Sequence, residues 1–310
     1  MSITKKKTNS RDEWIALRSK YIGGSDAAAV VGLNPFSSQY SLWAEKTGKT
    51  PPFDGNLATE VGTFLEEFVA KKFEQETGKK VRRCNMSVLN DKYPWAIANI
   101  DREIVGEDAG LEIKTTSELN IKKFGSGEYP ANYYCQMVHY LAVTGKAKWY
   151  LAVLIGNREF RWFILERDQA EIDALMNAEK EFWTHVKDNT PPPVDGTNAS
   201  ADAINSIFPI ETEETVDLFR CTDDLEEYIS LGDRIKELES MREERANRIK
   251  AYMGNAGFGT HEKYSVQWKS STRRTFDSKR FAADHKGIDL SGYYKESITR
   301  TFRVKEVKEK

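Results

Sequence analysis

Two acidic residues and a lysine in the first half of the chain have the types and spacing needed for metal-assisted hydrolysis at a phosphate. Asp101 ends one strand-like stretch, and Glu112 and Lys114 lie two residues apart on the next, in ANIDREIVGEDAGLEIKTTS. Side chains two apart on a β-strand share a face, so one hairpin gathers two carboxylates and an ammonium. Carboxylate oxygens suit Mg²⁺, and a nearby cation can orient an attacking water.

The E-x-K spacing alone is weak, because the charged tail repeats it at Glu306 and Lys308. Charged runs usually form solvated surface, and an exposed hairpin edge would explain the first instance as well. Apolar residues that alternate with the polar set favour strands packed on a core: Ala98, Ile100, Leu111 and Ile113. Charges on such strands are partly buried, and burial is costly without a metal or phosphate partner.

Helices and strands that could position this set follow from the apolar periodicity. Helical spacing predicts a helix over SRDEWIALRSK with Ser10 as N-cap, a short one around YSLWAEKTG, and helices over 57–77, 130–145 and 168–187. Aromatic and β-branched enrichment predicts strands at VRRCNMSVL, WAIANIDREIVG, AGLEIKTT, KWYLAVLIG and EFRWFILER. The order predicts an α/β fold in which helices flank a central mixed sheet.

The segment TPPPVDGTNASAD is the strongest linker signal and divides the chain. We predict a core over 1–195, a linker over 196–222, a helical arm over 223–255 and a small basic α+β appendage over 256–310. The apolar residues of the arm are too irregular for a confident heptad. Residues 261–310 carry 13 Lys and Arg against 7 Asp and Glu. A DNA-facing patch and a solvated surface fit that charge equally well.

Composition excludes several classes of protein. The 310 residues are 39% hydrophobic with a formal net charge of -2, as in globular proteins. No apolar run is long enough to cross a bilayer, and no apolar secretory segment follows the lysines at the start. The three cysteines are scattered, which disfavours disulfide frameworks, zinc cages and iron–sulfur clusters. We expect a cytoplasmic protein.

The pattern Asp101, then Glu112-Ile113-Lys114, resembles the PD-(D/E)xK nuclease core, and its surroundings resemble the YqaJ viral recombinase family, relatives of the lambda-phage exonuclease. The resemblance covers roughly residues 11–190. RSKYIGGSD is similar to the R-x(6)-S block of the family and maps Arg18 and Ser25 onto residues that hold DNA phosphate.

Two further motifs extend the resemblance. Gly62 and Glu66 match a G-x-x-x-E block, and Gln136 matches a glutamine on the helix after the E-x-K strand. The sequence departs from the family at Ile100, where the motif name has proline, and at Val138, where a second glutamine is common. Asp91 matches an additional acid of the lambda-type enzyme weakly, because LNDKY is equally a turn.

The resemblance implies a Mg²⁺-dependent exonuclease with a PD-(D/E)xK restriction-endonuclease-like core. Asp101, Glu112 and the Ile113 carbonyl would bind one or two Mg²⁺ ions, with Mn²⁺ as an alternative. Lys114 and Gln136 would act on the attacking water, and Glu66 would orient ligands or hold an outer water. The implied partners are double-stranded DNA ends, a single-strand annealing protein of the RecT or beta type, and further copies in a ring trimer.

Other functions remain open at this point. The same fold could carry an endonuclease of restriction or repair type, which would cleave closed circles. A non-catalytic DNA-binding protein could instead rely on the basic tail. The 5′-to-3′ direction of digestion comes from the resemblance alone.

Overall fold

The structure is a computed structural model that describes residues 2–7, 10–84, 86–125, 127–285, 287–296 and 298–306. The chain divides into two compact units, Met1–Pro209 and Ile210–Lys310, called here the N-terminal and C-terminal units. In the described ranges, no helix is long and apolar enough to cross a membrane.

The strands of the N-terminal unit form two sheets. In chain order they are β1 (Ile3–Lys6), β2 (Ile22–Gly23), β3 (Val81–Arg83), β4 (Ser87–Asn90), β5 (Ala96–Asn99), β6 (Arg102–Ile104), β7 (Ala109–Thr116), β8 (Lys148–Ile155) and β9 (Glu159–Glu166). One sheet has the order β1-β4-β5-β2 and the other β3-β6-β7-β8-β9. In the five-stranded sheet β7 and β8 run parallel and the other pairs are antiparallel. The unit is therefore mixed α/β, as the sequence predicts.

Helices cover these sheets. They are α1 (Arg11–Arg18), α2 (Gly24–Val30), α3 (Gln39–Lys46), α4 (Leu57–Thr77), α5 (Ala131–Thr144), α6 (Gln169–Lys187) and α7 (Asn198–Ile207). Ser10 caps α1 by accepting the Glu13 N–H, and Gly78 and Gly145 end α4 and α5 with positive φ. These caps confirm the predicted ends, because glycine adopts left-handed backbone at low cost.

Opposite faces of the five-stranded sheet pack on α4 and α5. Phe73 of α4 packs with Leu111 and Ile113 of β7, and Met137 of α5 packs in a second cluster with Leu151 of β8. The predicted packing of the 57–77 helix on a sheet is confirmed. Alternate residues of β7 therefore face the two helices in turn, and Glu112 and Lys114 lie on the α5 face.

Two predicted strands are each broken into two. The stretch VRRCNMSVL forms β3 and β4, and WAIANIDREIVG forms β5 and β6, so the ribbon passes from one sheet into the other. Periodicity shows no such break, because both halves are extended and apolar on one face. The break leaves Asp101 in the gap between β5 and β6, outside either ladder.

The N-terminal unit ends at Pro209, beyond the predicted core end at residue 195. Part of the predicted linker 196–222 is α7, which packs on α3. The Ser200 hydroxyl is hydrogen-bonded to the Ser38 hydroxyl at 2.8 Å, and Ala203 is buried. Small and polar residues in this segment indicate a linker in the sequence. In the structure they allow α7 to pack closely on α3.

The C-terminal unit contains α8 (Thr222–Met253), a hairpin of β10 (Phe258–Thr260) and β11 (Ser265–Gln267), and α9 (Ser278–Asp284). The predicted arm is thus one continuous helix. The predicted strands RRTFD and SITRTFRVKEV are not strands in their described residues, and Ser297 and 307–310 lie outside that range. No described residue of these elements is buried, so they offer no hydrophobic core that would stabilise further strands.

Candidate active site

Asp101, Glu112 and Lys114 come together beside β7. The Lys114 ammonium lies 2.6 Å from Glu112 Oε1, as their shared face on the strand allows. Asp101 Oδ2 accepts the backbone N–H of Ile113 at 2.8 Å. Because Asp101 lies in the gap between β5 and β6, its carboxylate can bond the edge of β7 that has no strand partner.

The Ile113 carbonyl lies on the same side of β7 as this carboxylate. In a strand the N–H and C=O of one residue point to the same side, because antiparallel partners exchange both bonds. The Ile113 N–H is bonded to Asp101, and the β6–β7 pairing ends at Arg102 and Leu111. The carbonyl therefore lies on the edge of β7 that β6 leaves unpaired, the edge that the Asp101 carboxylate contacts.

Gln136 holds one oxygen of Glu112, and a residue that the sequence analysis did not select, Tyr140, holds Gln136. The Gln136 amide donates to Glu112 Oε1 and to the Tyr140 hydroxyl, both at 2.8 Å. That hydroxyl in turn donates to the Asn99 carbonyl at 2.9 Å. Glu112 is buried, and its Oε2 has no hydrogen-bond partner among the residues that the structure describes. An unpaired buried carboxylate oxygen is costly, so a ligand for this oxygen is expected.

Burial and mutual repulsion oppose ionisation of the two acids. Burial raises the pKa of Asp101 well above its usual value, and the Glu112 charge adds to the effect. Burial also raises the pKa of Glu112, although Lys114 opposes it. For Lys114, burial favours the neutral amine, but Glu112 and Asp101 outweigh it and raise the pKa. A further cation between the acids would relieve this repulsion.

The residues present fit a divalent ion. The site offers Asp101, the unpaired Glu112 Oε2 and the Ile113 carbonyl, all hard oxygen donors of the kind that Mg²⁺ binds. Within the described ranges no group of three or more His, Cys, Asp or Glu side chains could hold a metal. The set here has two such side chains and a backbone oxygen, which leaves coordination positions for water or substrate.

Glu66 lies on the opposite face of the sheet and is neutralised by Arg102. The Arg102 guanidinium is paired with Glu66, bonds Glu67 at 3.2 Å and donates to the Asp101 carbonyl at 2.9 Å. Glu66 is close enough for its charge to raise the pKa of Asp101 and Glu112, after burial and nearer charges. Glu66 therefore influences Asp101 and Glu112 in two ways, through its pairing with Arg102 and through the electrostatic effect of its charge. Gly62 lies one turn earlier, where an added Cβ would lie 3.4 Å from Thr115 Oγ1.

Arg18 and Ser25 form a neighbouring polar cluster. The Arg18 guanidinium donates to the Ser25 hydroxyl at 2.6 Å and lies 3.5 Å from Asp26 Oδ1. Lys46, whose side chain is 1% exposed, pairs with Asp26 Oδ2 at 2.7 Å. Burial alone would raise the Asp26 pKa, but Lys46 and Arg18 outweigh it and lower the pKa to about 2.

Gly24 connects this cluster with the acidic site. A Cβ on Gly24 would lie 2.5 Å from the Tyr140 ring, so only glycine allows α2 to approach α5 this closely. Asp91, in contrast, lies in an exposed turn after β4, where its N–H donates to the Ser2 carbonyl. The structure brings Asp91 into no described contact with Asp101, Glu112 or Lys114.

Sequence reasoning missed Arg102, Tyr140, Asp26 and Lys46 as supporting residues. Tyr140 follows Gln136 by four residues, which places both on one face of a helix and could have linked them. Arg102 follows Asp101 directly in the sequence. Its side chain on β6 points to α4, where it pairs with Glu66. The partner of Asp26 lies on another helix, and no local spacing reveals it.

Sequence relatives and solved structures resemble this chain. The YqaJ-like viral recombinase domain model matches residues 13–147. YqaJ of Bacillus subtilis (strain 168) is 37% identical over 311 residues, covering 98% of this chain and 97% of its own. Protein D345L of African swine fever virus (strain Badajoz 1971 Vero-adapted) is 42% identical over 55 residues, covering 18% of this chain and 16% of its own.

Among solved structures, an alkaline exonuclease from Laribacter hongkongensis has a TM-score of 0.49 and 21% identity, over 58% of this chain and 94% of its own. A phage-related exonuclease from Haemophilus somnus 129PT has a TM-score of 0.42 and 13% identity, over 57% and 99%. The nearly full-length match to YqaJ is the one that decides the family. This chain belongs to the family of proteins with a YqaJ-like viral recombinase domain.

Proposed function

We propose that this protein is a Mg²⁺-dependent deoxyribonuclease that removes nucleotides from the ends of duplex DNA. One observation carries the proposal: the buried Glu112 keeps an unpaired Oε2 beside Asp101, with Lys114 bonded to its other oxygen. Two acids and an ammonium in this arrangement suit hydrolysis of a phosphodiester better than they suit passive binding.

Asp101, Glu112 and the Ile113 carbonyl would hold one or two Mg²⁺ ions, and Mn²⁺ could replace Mg²⁺. When bound, such ions polarise the scissile phosphate and lower the pKa of a coordinated water. Gln136 and Lys114 both bond Glu112 Oε1, which would leave Oε2 available to hold the ion. Arg102 neutralises Glu66 and steadies the Asp101 backbone, so Glu66 would act on the site indirectly.

Lys114 would serve as a cation and not as the base. The two acids raise its pKa, so the side chain stays protonated at neutral pH. A protonated amine can orient the attacking water by donating to it and can stabilise negative charge that develops on the phosphate. Gln136, which bonds Glu112 Oε1, would help to position the same water.

Arg18 and Ser25 would bind a backbone phosphate of the DNA. The Arg18 fork can donate two parallel hydrogen bonds to phosphate oxygens, and Ser25 lies in the first turn of α2, where backbone N–H groups favour anions. The buried Lys46–Asp26 pair would keep the Arg18 fork aimed at this position.

The biological setting follows from the family. We propose 5′-to-3′ resection of duplex ends for phage-type homologous recombination, in a bacterial host cytosol. A single-strand annealing protein of the RecT or beta type would then use the exposed 3′ strand. A ring trimer around DNA is the oligomer that the lambda-type resemblance suggests.

A digestion assay tests this function. Linear duplexes with 5′-phosphate or 5′-hydroxyl ends, nicked circles and closed circles are incubated with Mg²⁺, and acid-soluble nucleotide is measured. We expect linear DNA to be degraded and closed circles to be spared. Cleavage of closed circles would instead indicate an endonuclease. Equal digestion by Lys114→Ala and the parent protein would show that the assigned site is not catalytic.

A further inference from the structure

The long helix α8 presents an apolar stripe to solvent along most of its length. None of its residues is buried. Leu231, Ile235, Leu238 and Ile249 keep 45%, 55%, 61% and 47% of their surface exposed, and Tyr252 keeps 96%. Several exposed apolar residues on one face of a helix usually mark a contact surface.

The apolar residues of this helix fall into two groups that differ in exposure, which explains their irregular spacing in the sequence. Leu225 and Ile229 are less exposed and border a groove of about 700 Å³ that Glu306 also lines, and Tyr228 contacts the Phe302 ring. This face is therefore covered in part by the chain's own C-terminal segment. Of the exposed apolar residues that remain, Leu231, Ile235 and Leu238 follow spacings of four and three, and Ile249 and Tyr252 are three apart.

The exposed positions fit the heptad seam of a coiled coil. Leu231, Ile235, Leu238, Ile249 and Tyr252 occupy successive a and d positions, and Arg242 and Arg245 fill the two that remain in the middle. A seam of this spacing packs on another helix of the same spacing. From Leu231 to Tyr252 the seam is roughly 33 Å long.

The charges of α8 are divided between its halves. Residues 222–239 contain seven acidic and two basic residues, and residues 240–253 contain two acidic and four basic residues. A copy packed in the same direction would bring acidic half against acidic half, with the central arginines face to face. A copy packed in the opposite direction brings each acidic half against a basic half.

We propose that α8 is a self-association surface, on which α8 of a second copy of this chain packs in antiparallel orientation. With the pair centred near Ser240, Leu231 of one copy faces Ile249 of the other. Arg242 then faces Leu238, with Glu237 and Glu239 beside it. The arginine stem packs on the leucine while its guanidinium reaches the carboxylates.

The mass of the full-length chain tests the association. Sedimentation equilibrium is measured across protein concentrations for the parent, for Leu238→Glu and for Ser240→Glu, which adds the same charge on the opposite face of α8. We expect Leu238→Glu to halve the mass and raise the dissociation constant at least ~100-fold, because it buries an unpaired charge. Ser240→Glu should behave like the parent. Halving distinguishes this contact from any oligomer of the N-terminal unit, which would persist in Leu238→Glu.

Disulfide trapping tests the orientation. Leu231→Cys and Ile249→Cys chains of different tag length are mixed and oxidised, and crosslinked peptides are identified by mass spectrometry. A Leu231→Cys to Ile249→Cys crosslink is expected, and a crosslink between two Leu231→Cys chains would overturn the antiparallel arrangement. An unchanged mass in Leu238→Glu would overturn the association itself. Leu238→Ala, which keeps helix propensity, provides a milder variant if Leu238→Glu loses helical circular dichroism.

Discussion

The two units of this chain use apolar residues in opposite ways. The N-terminal unit buries large side chains such as Trp149, Tyr150 and Phe182, and every buried residue in the described ranges precedes residue 210. The C-terminal unit exposes its aromatic side chains, Tyr252, Phe276 and Tyr293 among them. The first unit can therefore hold a rigid arrangement of charges, whereas the second offers surface for contacts with other molecules.

The largest expected effect compares the two E-x-K sequences. Glu112→Gln should reduce digestion of linear duplex by about 10³-fold, because even residues that support metal ligands contribute about 10–100-fold. Glu306→Gln makes the same chemical change in the C-terminal unit and should leave the rate unchanged. Isothermal titration with Mg²⁺ should show weaker binding for Glu112→Gln alone. Equal loss in both variants would remove the distinction between the units.

The next prediction compares a buried leucine of the N-terminal unit with a half-exposed leucine of the C-terminal unit. Leu151→Ala, in the centre of β8, should lower the free energy of unfolding of the N-terminal unit by about 2–5 kcal/mol, because it leaves a cavity among packed side chains. Leu218→Ala, at a half-exposed leucine of the C-terminal unit, should change it by less than about 0.5 kcal/mol. Urea titration followed by tryptophan fluorescence measures both. Similar losses would mean that the C-terminal unit contributes to a common core.

The acid stability of the N-terminal unit should depend on Asp26. The pKa of Asp26 is about 2 in the folded chain and 3.8 for an ordinary aspartate. The folded chain therefore favours the ionised carboxylate, and the ionised carboxylate stabilises the fold. This stabilisation is present above the ordinary pKa and is lost as the pH falls through the folded value. It corresponds to about 2 kcal/mol, lost between about pH 5 and about pH 2.

Unfolding measured at several pH values should show a shallower acid dependence for Asp26→Asn than for the parent. Asp233→Asn, at an exposed position of the C-terminal unit, is the control and should follow the parent curve. Parallel curves for Asp26→Asn and the parent would show that Lys46 and Arg18 do not stabilise the carboxylate.

Local chemistry explains which features the sequence predicts. Ser10, Gly78 and Gly145 act on backbone groups within one turn, so their effect on helix ends is readable without the fold. The shared face of Glu112 and Lys114 is equally local, since it follows from the period of a strand. These features identified the elements and the pair of residues at the centre of the site.

Features that depend on distant partners were not readable. The passage of two strands into a second sheet depends on pairing between β4 and β5 and between β3 and β6. The Asp26–Lys46 pair and the contacts of Arg102 join residues on separate elements. Neither composition nor periodicity encodes which element will be the neighbour, so these features emerge only in three dimensions.

The smallest predicted effect tests where the two units meet along the sequence. The Ser200 hydroxyl of α7 donates to Asp195 Oδ1 at 2.7 Å and lies 2.8 Å from the Ser38 hydroxyl, whereas Ser206 on the same helix is exposed. Ser200→Ala should cost about 1 kcal/mol of N-terminal unit stability, because it removes buried hydrogen bonds, and Ser206→Ala should cost almost nothing. Urea titration measures the difference in free energy of unfolding, provided that both variants have the same dependence on urea concentration. If 196–222 were a linker, both changes would be silent. A loss confined to Ser200→Ala would instead place the boundary after α7, because only a helix packed into the first unit can distinguish its two faces.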